Sequence, residues 1–559
     1  MNDLKHLLIL ILFMGSLNLV AQDGVGIGEW RTHMPYQQVI DVELAGHKAY
    51  AATNYELFVY DDEDGSITIL NKINSLSDIG IATIRRNPTL DLLMVAYTNT
   101  NIDLVDADGE VYNMSDIKDK TILGNKTINN ITFKDEFAYV ACGFGIVVFD
   151  LKRQEVKDTY YIGQNGSAVN VTDIAFYNGR IYASTTQGLY YADANGDNLA
   201  NFAAWTLDNS LIHPRLNYDE METFVGKLFL NHDGPVFNSD TLFVYDGHQW
   251  TYFDRKFVTE KRELRVCGDH LLMCGYNTLY VYNTDLEQEN KINGCGSSIS
   301  PYSAVTAGDG VYWIGDRMRG MIRAIDSWNN YIDILPNGPF SKNVFELSHC
   351  GKHVWIATGG HDSNWAKRYA KDGVCHFDGN WWTNLNRYSI PAISEDNISD
   401  FVCAATDPFD TAVTYVGTWG KGILKFQSNE LVERYDNTNT EGCLEVWVMD
   451  PSLVNISGLA FDSKGNLWVA NTGANNLLSM MDRTGHWRSF NLGGSNSGID
   501  IANLLIDQND YKWILRRAGN DDKIIVFNDQ GTFDNPTDDQ VMPLRCTAGH
   551  GGELFCGGP

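Results

Sequence analysis

The 559-residue sequence predicts an all-β fold of tandem seven-bladed β-propellers, the second truncated at the C-terminus. Three observations carry this. A strand-rich unit recurs along the chain, with apolar anchors at Tyr50, Val95, Tyr139, Tyr182, Phe229, Leu272, Tyr312, Trp355, Tyr415, Trp468, Trp513 and Phe555. Successive anchors lie 40 to 60 residues apart, mostly close to the ~40–50 residues of a four-stranded blade. Between strands stand short turns of Gly with a polar neighbour, such as Ala45-Gly46-His47, Asn178-Gly179, Gly268-Asp269 and Lys464-Gly465-Asn466, which suit hairpins. Finally, 51 Gly and 12 % aromatic residues beside only 13 Pro favour many short strands and tight turns over helices.

Taken in order, Met1 to Ala21 reads as a secretory signal. Lys5 and His6 form the n-region, Leu7 to Val20 the apolar h-region, and Ala21-Gln22 the cleavage point. The stretch is too short for a membrane-spanning helix, and no later window has ~18 uninterrupted apolar residues. Gly28-Glu29-Trp30-Arg31-Thr32-His33 resembles the fourth-strand sequences Gly247-His248-Gln249-Trp250 and Gly485-His486-Trp487. It is therefore expected to close the first ring by pairing with the last blade, in competition with Tyr331 to Leu335. Period-2 alternation shows in Ile181-Tyr182-Ala183-Ser184 and Val311-Tyr312-Trp313-Ile314.

Twelve anchors exceed the four to eight blades of one ring. A break after seven units gives a first propeller over 22–340 and a second over 341–559. The twelfth unit stops after a second-strand pattern at Gly557-Gly558-Pro559, so the second ring is expected to be incomplete, with an exposed sheet edge.

The 42 Lys+Arg against 71 Asp+Glu give a formal charge of −29, which disfavours nucleic acid and anionic membranes as partners of the whole surface. The ten cysteines form no Cys-x-x-Cys pair and sit mostly within apolar strand patterns, where Cys behaves as a small buried hydrophobe. One or two disulfides stay open, with no pairing readable. Trp30, Trp250, Trp381, Trp382 and Trp487 occupy equivalent outer-strand places and are assigned to packing between blades.

No nucleophile elbow, P-loop, His-Glu-x-x-His or paired Cys-x-x-Cys array is present, so no catalytic residue, metal site or cofactor is assigned. His349-Cys350-Gly351-Lys352-His353 reads as a strand-joining turn rather than a zinc site. Asp61 to Gly65 and Asp193 to Asp197 faintly resemble calcium loops, yet neither carries the final glutamate.

More informative are the interruptions of the repeat. They fall at strand two-to-three turns (Asn231 to Asp240, Gly359 to Gly373, Thr472 to Leu478, Arg516 to Asp522) and at blade-to-blade connections (Leu207 to Asp219, Ser428 to Asn455). In a propeller these two loop classes share one face, and long loops in a regular repeat are commonly functional. Within one of them, His361 to Lys371 combines aromatics with three cations. Trp365, Lys367, Arg368, Tyr369 and Lys371 are the candidate contacts for an anionic glycan, since aromatic faces stack on sugars and Lys and Arg bind phosphate or carboxylate. A second basic cluster, Arg255, Lys256, Lys261, Arg262 and Arg265, is placed in the linker into the sixth blade. With Asp254, Glu260 and Glu263 interleaved, it reads as self-neutralising.

The run Gly28 to Tyr36, then Tyr50-Ala51-Ala52-Thr53, Leu70 to Ile81 and Ala96 to Leu104, resembles the PorZ family, an attachment-complex component of the type IX (Por) secretion system of Bacteroidetes. The resemblance covers residues 22 to about 340 closely. It is looser in the second ring, which is also similar to the propeller repeats of hybrid two-component sensors. It implies two seven-bladed propellers followed by a β-sandwich secretion-signal domain, so this chain is short of about two blades and the sandwich, at ~40–50 residues per blade. It further implies a non-enzymatic surface scaffold that joins the sortase and other attachment-complex proteins and presents anionic lipopolysaccharide. Such a protein is exported and associated with the outer-membrane surface, or periplasmic if the C-terminal signal is missing. Two other readings stay open: a sensor module of the hybrid two-component type, and a propeller polysaccharide lyase or glycosidase.

Overall fold

The computed structural model describes residues 28–122, 124–253, 259–493, 498–516, 523–532, 535–548 and 554–557. The signal peptide read at residues 1–21 lies outside the described residues, as do Arg255 and Lys256. The fold is all-β and the chain divides into two compact units, Met34–Pro336 and Asn337–Pro559, with the segment up to His33 belonging to the second.

In the first unit seven antiparallel sheets follow one another, each made of four strands contiguous in sequence. The first blade is Val39–Ala45, Lys48–Thr53, Leu57–Asp61 and Ile67–Leu70, hydrogen-bonded in that order. The seven innermost strands are Val39–Ala45, Ile81–Asn87, Ile128–Lys134, Val171–Tyr177, Tyr218–Phe224, Lys261–Cys267 and Pro301–Thr306, and each lies beside the next. Pro301–Thr306 returns to Val39–Ala45 and closes the ring.

Burial explains the sequence pattern. Second strands are buried on both faces, as in Arg180–Thr185, because each blade packs on two neighbours. The alternation read in Ile181-Tyr182-Ala183 is thus not core against solvent. Ile181 and Ala183 join the core shared with the third blade, whereas Tyr182 joins the core shared with the fifth. Fourth strands face solvent, as in Ile67–Leu70, and can be short and polar.

A side-chain belt joins the innermost strands. Each has a register shift at or just before its third residue, with Val39/Asp41 and Lys261/Glu263 as examples. Such a bulge takes the following N–H out of the ladder and leaves it for another acceptor. At five of the seven joints, the third residue of one strand accepts that N–H from the next blade. Ile84 N donates to Asp41 Oδ2 (2.9 Å), Met221 N to Asp173 Oδ2 (2.8 Å), Leu264 N to Glu220 Oε2 (3.3 Å), Ala304 N to Glu263 Oε2 (3.0 Å) and Val42 N to Ser303 Oγ (3.3 Å). Polar residues at these core positions are therefore structural.

The seam between the seventh and first blades uses no shared strand. Tyr331–Ile334 already supplies the fourth strand of the seventh blade. Closure comes from the core of Val42, Ala51, Phe58, Val305, Trp313 and Met321, and from Arg323 Nη2 donating to Asp62 Oδ2 at 3.2 Å. The expectation that Gly28 to His33 closes this ring is overturned. Among the described residues these belong to no strand ladder and lie instead with the eighth blade. Trp382 Nε1 donates to His33 Nδ1 (2.9 Å), and Arg31 Nη2 donates to Asn380 O (3.0 Å) with its guanidinium over the Phe377 ring. The competing strand had the better position because it adjoins its own blade in sequence.

The second unit holds four further blades, the eighth to the eleventh, with innermost strands Glu346–Cys350, Phe401–Thr406, Val454–Phe461 and Ile501–Ile506 lying in series; the ninth and tenth are joined into one eight-stranded sheet where Trp419 and Gly420 pair with Asn455 and Val454. Gly458 serves a close approach: a Cβ there would stand 2.6 Å from Leu504 N of the next blade. The twelfth anchor does not start a sheet of its own. Gln540–Ala548 pairs with Lys523–Asn528, and Leu554–Gly557, which contains Phe555, adds to it as a fifth strand of the eleventh sheet. Within the presumed loop Ser428 to Asn455, Glu430–Tyr435 forms the fourth strand of the ninth blade.

Trp250, Trp382 and Trp487 are buried at the start of fourth strands, as expected of packing residues. Trp30 and Trp381 are exposed and pack no blade interface. Among the described residues the eight characterised cysteines are all free thiols, and Cys142, Cys274, Cys295, Cys375 and Cys403 are buried.

Candidate functional site

The loop singled out by sequence joins the second strand, His353–Ala357, to the third, Val374–Phe377, of the eighth blade. Its conformation is set by two aspartates. Asp362 Oδ1 accepts Asn364 N (2.8 Å) and Ala366 N (2.9 Å), which folds the tip back on itself. The buried Asp400 of the next blade accepts Tyr369 N (3.0 Å) and Ala370 N (2.8 Å), which anchors the return. Trp365 and Tyr369 both lie in the left-handed backbone region (φ 64° and 57°), unusual for bulky residues and held there by these bonds.

Trp365, Lys367, Arg368, Tyr369 and Lys371 thus sit in one ordered loop, in different circumstances. Trp365 stacks on His361 at 4.2 Å between ring centres and 16° between planes. It also lies against Trp419, whose Nε1 donates to Trp365 O at 3.1 Å. One face of its indole is thereby occupied by the protein. Tyr369 is 65 % exposed and is the open aromatic of the group. The Lys367 ammonium lies over that ring at 5.6 Å. It also lies above Gly420, where a Cβ would come within 2.8 Å of Nζ and where φ is 123°, so glycine is required on both counts. Burial draws the Lys367 pKa below the ordinary lysine range; Asp400 opposes this and Lys421 adds to it. Among the described residues Lys367, Arg368 and Lys371 form no ion pair.

Sequence reasoning missed Trp419, Lys421 and Asp400, which come from the ninth blade. The run Trp419-Gly420-Lys421-Gly422 was the available signal. It occupies the equivalent strand two-to-three turn, and those turns share a face with the eighth-blade loop.

The second basic cluster is not a linker. Lys261, Arg262 and Arg265 belong to the innermost strand of the sixth blade and are neutralised there. Lys261 is buried beside Asp240 and Asp219, and burial draws its pKa down to about 8. Arg262 Nε donates to Glu260 Oε1 (2.8 Å), with its guanidinium between the Tyr276 and Tyr302 rings. Arg265 points into the central channel, a cavity of about 650 Å³. There it bonds Asp41 (3.2 Å), Glu43 (3.1 Å) and Glu263 (2.8 Å). The other side of the channel carries Asp173 and Glu222, both driven upward by burial, Asp173 to about 8 and Glu222 to about 7.

Among the described residues one group, His47, Asp61 and Glu63, brings three metal-type donors within 4.8 Å of one another, on adjacent turns of the first blade. His349 to His353 is a hairpin turn, as read. No helix among the described residues is long and apolar enough to cross a membrane.

Radial four-stranded blades in two successive runs, with long loops gathered on the strand two-to-three side, define a tandem β-propeller protein. Residues 49–206 match the family described as "TSS9, PorZ, N-terminal beta-propeller domain". Over this stretch the chain matches the N-terminal propeller of PorZ, and the resemblance carried by the first-blade residues is borne out. The structure of PorZ from Porphyromonas gingivalis, described as an essential surface component of the type IX secretion system, is similar at a TM-score of 0.78 and 22 % identity. The match covers 95 % of this chain and 72 % of that one. Extracellular domains assigned to a hybrid two-component and a one-component system of B. thetaiotaomicron also align. They do so at TM-scores of 0.40 and 0.39, with 14 % and 13 % identity, over 95 % and 96 % of this chain and 75 % and 78 % of theirs. No curated protein sequence matches the chain.

Proposed function

We propose that this protein is a non-enzymatic surface scaffold of the type IX secretion attachment complex, which holds the sortase and other attachment-complex proteins and presents anionic lipopolysaccharide for transfer to cargo. The observation that carries the reading is the match of residues 49–206 to the PorZ N-terminal propeller. It is supported by the fold shared with PorZ of P. gingivalis over 95 % of the chain. The signal sequence read at residues 1–21 agrees with export to the cell surface.

The eighth-blade loop is the proposed lipopolysaccharide contact. Three unpaired cations, Lys367, Arg368 and Lys371, together with the exposed Tyr369, provide charge and a stacking face in a protein of net charge −29. Deleting the gene should leave cargo unattached to glycolipid at the cell surface; normal secretion and attachment in the deletion strain would end this reading. For the loop, Lys367→Ala/Arg368→Ala/Lys371→Ala should weaken capture of purified anionic lipopolysaccharide about 10-fold or more while the thermal transition stays in place, because each ion contact to phosphate is worth about 1 kcal/mol.

A further inference from the structure

A groove on the side of the first propeller, between the second and third blades, has no part in the reading above. It forms a cavity of about 540 Å³, within the size range of specific binding pockets. Its floor is the outer end of the core shared by these blades: Met114, Ile117, Phe144 and Val147 are buried there, and Val156 is partly buried. Tyr112, 46 % exposed, and Tyr161 stand at its margins. One wall is the strand Val111–Met114, the outermost of its sheet, which pairs with Ile102–Val105 on one side alone among the described residues. Apolar floor and open strand edge therefore lie side by side.

The rim has a defined charge. Asp116 and Asp119 line it with one cation, Lys120. The neighbouring lysines are engaged elsewhere: Lys118 Nζ bonds Asp78 Oδ2 at 2.7 Å, and Lys126 Nζ bonds the carbonyls of Ile117 and Lys118 at 2.9 and 2.8 Å. Asp119 accepts Ser115 Oγ at 2.6 Å, which leaves Asp116 facing outward with no protein partner among the described residues.

We infer that this groove takes an extended segment of a partner protein, added as a strand to the edge Val111–Met114. Its alternate apolar side chains fill the floor, and a Lys or Arg at one end meets Asp116. Strand addition supplies the backbone bonds the edge lacks, and period-2 side chains match a floor lying on one side of that edge. The acidic rim sets the sign of the flanking charge.

The probe is a fluorescently labelled nine-residue peptide with valine at alternate positions, threonine between them and lysine at one end, titrated against the chain by anisotropy. Binding is expected on the order of 10 µM, with a glutamate-ended peptide and a peptide N-methylated at alternate amides each weaker by about 10-fold or more. Val156→Lys should abolish binding. Asp116→Lys, on the exposed rim where it leaves folding intact, should exchange the lysine preference for glutamate. Failure of the lysine peptide to bind the unmodified chain would overturn the inference. So would binding indifferent to N-methylation and to Asp116→Lys. Displacement of an apolar dye from the groove by decanoate but not by peptide would assign it to a small apolar ligand instead.

Discussion

Replacing Asp41 by Asn tests whether the charged belt, rather than apolar packing alone, holds the first ring together. Asp41 is 4 % exposed. It pairs with Arg85 Nη1 at 2.5 Å and Arg265 Nη2 at 3.2 Å, and accepts from Ile84 N, Thr83 Oγ1 and Ser303 Oγ at 2.9, 2.7 and 3.0 Å. One carboxylate of the first blade thus reaches the second, sixth and seventh. Burial pushes its pKa up, and the two guanidiniums with the bonds from Thr83 and Ile84 more than reverse that, for a net lowering. Asn keeps the shape and removes the charge, so Arg85 and Arg265 stay buried with less compensation. Breaking a buried pair in this way costs about 3–5 kcal/mol. Against a typical total of about 5–15 kcal/mol, this should lower the melting transition of the first unit by on the order of 10 °C. Calorimetry of the full chain measures the shift, and hydrogen exchange at Val42 and Ile84 locates it. Arg86→Ala removes the more exposed pair with Asp91 and should cost under about 1 kcal/mol. If Asp41→Asn moved the transition no more than Arg86→Ala, the belt would be decoration and the reasoning wrong.

Other expectations follow from the same chemistry. Asp173, Asp219 and Glu222 have folded pKa values raised to about 8, 7 and 7, so the folded state holds protons the unfolded state has released. Their contribution is full below about pH 4 and is lost as pH rises through 7 to 8; the first unit should melt lower at pH 8.5 than at pH 5.5, and Asp173→Asn should flatten that slope. His33→Ala removes the acceptor of Trp382 Nε1 and should speed tryptic cleavage after Arg31, as timed by mass spectrometry. The buried thiols Cys142, Cys274 and Cys403, with pKa values pushed up by burial, should react with a disulfide reagent only on unfolding. The outward faces of the second unit's first and last sheets expose Leu347, Leu505 and Leu515. Leu505→Glu/Leu515→Glu should therefore reduce concentration-dependent association seen by sedimentation.

The architecture was legible because a blade is a local object: four strands contiguous in sequence, with a second strand that in the first ring is buried on both faces and marks the repeat with an apolar residue. What escaped were features decided by competition or by distance along the chain. Gly28 to His33 has a fourth-strand sequence, yet Tyr331–Ile334 reaches the seventh blade with no loop to close, and the earlier segment goes to Trp382, about 350 residues away in sequence. Phe555 carries a second-strand signature, but the strand before it was already paired as the outer strand of the eleventh sheet. Lys261 and Arg265 looked like a basic patch because sequence gives charge without burial. Their carboxylate partners, Asp240 and Asp41, lie on other blades. The eighth-blade loop was legible as a composition. That Trp365 spends a face on His361, leaving Tyr369 outward, depends on Trp419 and Asp400 of the next blade.

The seam of the first ring has a mechanical meaning. With every blade continuous in sequence and no strand exchanged at closure, the joint between the seventh and first blades is of the same kind as the other six. The ring can therefore be cut at any blade connection and rejoined at its ends, and a circular permutant that opens near Ile79 should assemble the same seven sheets. Under tension applied at Met34 and Pro336, the seam is expected to part before the individual sheets, because side-chain contacts rather than a strand ladder join it.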